Sequence, residues 1–230
     1  MLVFPETILE MYADTKPVYR KVYNILRATI LSGQAEAMER LTEVGVSQAL
    51  GISRTPVRAA LAQLKSEGIL DVMPKKGTGV KQLSRTEKAN LLFMDEMLES
   101  TAAYLAAANS SQEDLDTLIE INNRIRHPYQ GIKNEEGMKG IRDLHLQFHL
   151  MIARMSGNSF LYKDIVEIRG LMRMLSNDGY GRLSDYTNIV TPCHDKLLEA
   201  MGKGDQENAR LWMKVDITLL KKIYMTCKIN

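Results

Sequence analysis

Apolar positions change their spacing along this 230-residue chain, and the spacing predicts the elements. Between Pro17 and Ser32 they fall at Val18, Val22, Ile25, Leu26, Ile30 and Leu31, close to a 3.6-residue period. That predicts an amphipathic helix, ended by Gly33. A second, shorter helix is predicted over Leu41 to Leu50, with Val44, Val46, Ala49 and Leu50. After a tight turn at Gly51-Ile52, a third runs from Arg54 to about Glu67, turning Val57, Ala60, Leu61 and Leu64 inward, with Gly68 as its stop. Ile69 to Met73 then reads as a short strand, residues 74–79 as a turn, and Val80 to Leu83 as the returning partner.

From Ser84 the pattern becomes helical throughout. Helices are predicted over 85–108, 112–126, 135–156, 159–175, 187–202 and 205–228, broken at Asn109-Ser110-Ser111, Pro128 to Gly131, Gly157-Asn158 and Gly202 to Gly204. A looser stretch, 176–186, is rich in Gly, Asn, Asp and Ser. The expected fold is mainly α: a winged helix-turn-helix over 1–83, then an antiparallel all-α helical bundle over 84–230.

The short helix, glycine turn and longer helix have the layout of a DNA-reading motif, whose second helix enters the major groove. Ser53 stands where it can cap that helix, and Pro56 falls in the first turn, where a missing N–H costs little. Arg54 and Arg58 lie four apart on one face, near the end that would point at the bases. Arginine there can clamp a phosphate or grip guanine with two hydrogen bonds. Charge agrees: residues 17–83 hold ten Lys/Arg against five Asp/Glu, whereas the remainder from Ser84 holds 19 against 20. The hairpin after this helix would be a wing, with Lys75 and Lys76 at its tip.

The stretch Gly51-Ile52-Ser53-Arg54-Thr55-Pro56-Val57-Arg58-Ala59-Ala60-Leu61, followed by Leu64, Glu67 to Leu70 and Lys76 to Val80, resembles the winged-helix domain of GntR-family transcription regulators. The helical remainder resembles the FCD effector domain of that family's FadR subfamily, through the landmarks Leu98-Glu99, Phe148-His149, Gly157-Asn158, His194, Gly204-Asp205 and Ala209. By position, Arg54, Thr55 and Arg58 match the family's DNA-contacting residues, and Gly77, preceded by Lys76, its wing tip. Val44 stands where a basic residue is common. The resemblance implies a homodimer on double-stranded operator DNA, with a small carboxylate or sugar acid as effector.

Three of the four histidines fall where a bundle could bring them together. His145 and His149 are one helical turn apart. His194 precedes the Gly202–Gly204 turn by about nine residues, and Asp216 follows it by about twelve, so antiparallel helices would set the two at similar depth. Three imidazoles and a carboxylate suit Zn²⁺, Ni²⁺ or Mn²⁺. Metal-binding members of the resembled subfamily usually carry Asp-x-x-Phe-His on the first of these helices and a histidine on each of the last two. Here an aspartate and a histidine have exchanged places, and the ligand inventory is kept.

The resemblance also places arginine where this chain has Asp95, a change that disfavours a plain anionic ligand against that wall. Arg142, Arg169 and Arg173 are candidates for compensating charge, Arg142 and Arg173 being the expected effector contacts.

Other classes receive less support. The position after His145 is Leu146, where a zinc protease would carry its general base, so a metal-dependent enzyme in a helical bundle is the alternative rather than the first reading. A DNA-binding dimer with neither metal nor effector is the other. Cys193 and Cys227 lack metal or redox spacing and read as reduced thiols. The first residues, Met-Leu-Val-Phe-Pro-Glu, lack the basic, apolar character of a signal peptide, and a cytoplasmic protein is expected.

Overall fold

The computed structural model describes residues 2–35, 37–73, 77–127, 135–173 and 183–226, which form two compact units. The first comprises the residues up to Ser84, with Arg173; the second begins at Arg85. The fold is mainly helical, as the periodicities require.

In the first unit α1 (Glu6–Met11) precedes α2 (Val18–Leu31), whose Val22, Ile25, Leu26 and Ile30 are buried. Strand β1 (Arg40–Leu41) leads into α3 (Glu43–Leu50), α4 (Arg54–Ser66), β2 (Leu70–Met73) and β3 (Gly77–Val80). The sheet is antiparallel in the order β1-β3-β2, with Arg40 opposite Gly79 and Asp71 opposite Gly79 on the other side. α4 packs across α2 and α3 through Val57, Ala60, Leu61 and Leu64, all buried.

Three details depart from the sequence expectation. Leu41 belongs to a strand, because Thr42 takes an extended conformation and its hydroxyl accepts from the Gly45 N–H at 3.0 Å. That cap fixes the start of α3 at Glu43. The returning wing strand begins at Gly77 rather than Val80: Thr78 and Gly79 of β3 each have β1 on one side and β2 on the other, and a Cβ on Gly79 would stand 3.0 Å from the Glu39 carbonyl. The short helix α1 carries too few periodic positions to be seen in the pattern.

The second unit contains α5 (Arg85–Asn109), α6 (Gln112–Arg126), α7 (Glu135–Met155), α8 (Ser159–Arg173, whose last residue counts with the first unit), α9 (Leu183–Gly202) and α10 (Gln206–Thr226). α10 packs on α5 and α9, α6 on α7 and α9, and α5 on α7. Their common core includes Leu118, Ile125, Phe148, Ile152, Leu197, Met213, Ile217 and Leu220, with Trp212 half-buried against it.

Local signals set the breaks. Ser111 and Asp114 form a reciprocal capping box at the start of α6. Asn158 accepts from the Phe160 and Leu161 N–H groups at 3.1 Å each to open α8, after Gly157 at φ 70°. Gly204, at φ 66°, reverses the chain between α9 and α10. α9 starts four residues earlier than its apolar period suggests; most of the looser stretch, the Lys75–Lys76 wing tip and Cys227 lie outside the described residues.

Candidate metal centre and nucleic-acid interface

The bundle brings four predicted ligands to one point. His145 and His149 come from one face of α7, His194 from α9 and Asp216 from α10, and all four are buried. Nε2 of His149 lies 3.1 Å from Nε2 of His145. Asp216 Oδ2 is 3.4 Å from His149 Nε2 and 3.9 Å from His145 Nε2, and Oδ1 is 3.6 Å from His194 Nε2. One donor atom from each residue lies within 4.8 Å of all the others.

These spacings test whether an ion fits. Neither oxygen of Asp216, nor Nε2 of His194, has a hydrogen-bond partner, although each is shielded from solvent. An unpaired buried carboxylate is costly. A tetrahedron with bonds of about 2.1 Å has edges of about 3.4 Å, matching the separations that are too long for direct hydrogen bonds. The site therefore has the donors, spacing and unmet bonding of a divalent-cation centre.

Surrounding residues aim the lone pairs inward. His149 donates through Nδ1 to Glu99 Oε2, and Arg169 donates through Nε to Glu99 Oε1. This leaves Nε2 of His149 for the cluster. His194 donates through Nδ1 to Asn122 Oδ1 at 3.0 Å. Asn122 in turn donates through Nδ2 to Asp195 Oδ1 at 2.9 Å, which fixes its amide with the oxygen toward His194. Arg126 pairs with the same Asp195 carboxylate. Phe148 stacks on the His194 ring at 4.0 Å and an interplanar angle of 13°.

Protonation follows from this environment. Burial, reinforced by the neighbouring imidazoles, holds His145 well below the ordinary histidine range, and burial takes His194 down to about 4 against the opposing pull of Asp216. Both are neutral imidazoles at physiological pH. Burial and Arg169 also disfavour a charged His149, but Glu99 and Asp216 outweigh them and raise its pKa. A cation at Nε2 would compete with protonation of His149. Glu99 stays ionised: despite burial, Arg169 and His149 hold it below the usual carboxylate range.

Asn122→Leu is expected to leave the helices folded but to weaken cation affinity about 10- to 100-fold by releasing the His194 tautomer; competition with a fluorescent chelator measures it. Unchanged affinity would exclude the orienting role. Asn122 and Asp195 escaped the sequence reading. The available signal was a lone amide on the apolar stripe Leu118, Ile121 and Ile125 of α6.

The expected effector contacts are Arg142 and Arg173. Arg142 is half-buried on α7, one turn before His145. Arg173 donates to the Ser32 carbonyl oxygen at 2.9 Å within the first unit, and it is Arg169 that reaches the buried carboxylates.

In the first unit Arg54, Thr55 and Arg58 project from the first two turns of α4 and are exposed, as is Ser53. Ser53 holds the N-cap position without a side-chain hydrogen bond to the helix. Arg58 donates through Nε and Nη2 to the Glu43 carboxylate at 2.9 and 3.1 Å, so its fork is already presented as a planar pair. Gly77 opens β3 at φ 90°, a left-handed conformation that favours glycine; Lys76 lies outside the described residues.

A helix-turn-helix with a β-hairpin, in a chain that also carries a helical unit with a buried His/Asp cluster, has the layout of a DNA-binding transcription regulator. Sequence comparison agrees. Residues 18–80 match the family described as bacterial regulatory proteins, gntR family, and residues 90–218, over half of the chain, match the FCD domain. The chain belongs to the GntR-type regulators that carry an FCD domain, and it is not an enzyme.

Similar proteins include the HTH-type transcriptional regulator YdhC of Bacillus subtilis, 24% identical over 84% of this chain and 85% of that protein. The Uxu operon regulator of Haemophilus influenzae is 26% identical over 88% and 81%. Among solved structures, Escherichia coli McbR/YncC superposes with a TM-score of 0.74 at 23% identity, covering 91% of this chain and 98% of that one, a likeness of fold.

Proposed function

We propose that this regulator is a metabolite-responsive repressor. Its α4 reads an operator through Arg54, Thr55 and Arg58, with support from Ser53, Gly77 and Lys76 at the wing. His145, His149, His194 and Asp216 hold one divalent ion, Zn²⁺, Ni²⁺ or Mn²⁺, and a small organic or sugar acid joins that ion to change operator affinity. The observation that carries the reading is the buried set of unpaired donors, Asp216 Oδ1 and Oδ2 with His194 Nε2, facing two further imidazole nitrogens. The ion supplies a positive charge on which a carboxylate can dock. Exposed Phe93, Met94 and Met97 on α5 support a homodimer made by the helical domains, and a protein that binds chromosomal DNA would work in the cytoplasm.

Protein purified without chelators and analysed for elements is expected to carry about one ion per chain, and chelation should lower its melting temperature. Absence of any transition metal, with no stabilisation when one is added back, would leave the bundle as a dimerisation domain alone.

A further inference from the structure

Glu43 opens α3, and its carboxylate accepts two hydrogen bonds from Arg58 of α4, from Nε to Oε1 at 2.9 Å and from Nη2 to Oε2 at 3.1 Å. Those bonds, and against some desolvation the charges of Arg58 and then Arg54, hold the carboxyl below its usual range, so the pair is ionised at physiological pH. Its value to folding is small. The Arg58 side chain is 71% exposed and that of Glu43 36%, and ion pairs so open to water contribute little. An acidic residue in the first turn suits the dipole of α3, but the dipole asks only for a charge and not for a partner held by two bonds.

What the pair fixes is direction. A guanidinium carries five N–H donors in a planar array. The Nε hydrogen and the adjacent one on Nη2 are taken by Glu43, which leaves both hydrogens of Nη1 and the outer one of Nη2. One from each of these nitrogens makes a parallel end-on fork, a shape that fits O6 and N7 of guanine. Without Glu43, a long exposed side chain would lose its rotational freedom only on the DNA itself. The carboxylate also carries a penalty. If Arg58 leaves it for a phosphate, Glu43 becomes an unpaired negative charge beside the DNA backbone. If Arg58 reads guanine end-on, the pair stays closed. The penalty therefore falls on the wrong complexes, and discrimination built on repulsion adds to discrimination built on contact.

We propose that Glu43 is a specificity-determining residue that acts through Arg58: it aims the free end of the guanidinium at a guanine in each operator half-site and penalises complexes in which Arg58 grips a phosphate instead. This rests on reading α4 as the element that enters the major groove, and it refines that reading by assigning Arg58 a base. Glu43 thus weakens binding to random duplex while sharpening the choice among sequences.

The test sets full-length Glu43→Gln beside the wild type, with thermal melts of both and Glu43→Ala as a second variant if the first does not fold. The wild type selects an operator from a randomised duplex library. Fluorescence anisotropy then compares that operator with each of its single base-pair changes and with random duplex of equal length. The wild type should prefer guanine by about tenfold or more at the base pair whose preference Arg58→Ala abolishes. Glu43→Gln should reduce the preference there to within about threefold, and raise affinity for random duplex about two- to fivefold by removing a negative charge. Adding Glu43→Gln to Arg58→Ala should change the base preference no further. An undiminished preference in the folded variant, a loss confined to other base pairs, or unchanged or weaker binding to random duplex would overturn the role of Glu43. A wild type that selects no sequence would instead overturn the reading of α4, and the selection step separates the two.

Discussion

Asp216→Asn is expected to lower cation affinity about a hundredfold or more, since it removes the only anionic ligand from a set of otherwise neutral imidazoles. The same substitution should act in the opposite direction on the protein stripped of its ion. There the wild-type carboxylate is buried with both oxygens unpaired, and an uncharged amide of the same shape is cheaper to bury. Thermal melts should therefore cross: with the ion present the wild type melts higher, and after chelation the variant melts at the same temperature or above. A structural aspartate with no ion would give one order under both conditions. Such a crossing would mean that these residues sacrifice stability in the empty bundle for a bound cation, as functional sites do and cores do not.

Arg54→Ala is expected to weaken operator binding by about 1–3 kcal/mol while changing affinity for random duplex far less, if its guanidinium reads a base edge. Arg58→Ala should weaken binding as well, with a further effect that Arg54, which makes no hydrogen bond to Glu43, exerts less strongly. In the free protein Arg58 neutralises Glu43, so its removal leaves a carboxylate facing the DNA backbone. Glu43→Gln with Arg58→Ala should recover part of the loss, and a double-mutant cycle by fluorescence anisotropy measures that coupling. Equal weakening on operator and random DNA would assign both arginines to phosphate contacts alone.

Much of this was legible because local signals and tertiary packing agree. α6 could be bounded from Ser111 and the apolar spacing of Leu115, Leu118, Ile121 and Ile125, and its capping box and burial follow those residues. His145, His149, His194 and Asp216 could be grouped because helix spacing and a short antiparallel turn fix depth along the bundle. What stayed hidden depends on contacts between residues distant in sequence. Leu41 pairs with Thr78, and no local pattern in a two-residue strand announces that register. Asn122 and His194 are 72 residues apart, and nothing in either segment specifies the other. Arg142, Arg169 and Arg173 could not be ranked from spacing alone, because side-chain direction on α7 and α8 depends on which neighbour each helix meets.

The central claim is that the first unit grips duplex DNA at a defined site. Selection of fragmented chromosomal DNA from the source organism by purified, ion-loaded protein at physiological ionic strength, followed by sequencing, tests it most directly. The expected result is enrichment of fragments that share an approximately two-fold symmetric sequence, with retention falling steeply as salt rises. Recovery of a population no different from the input, at any salt concentration, would contradict the claim.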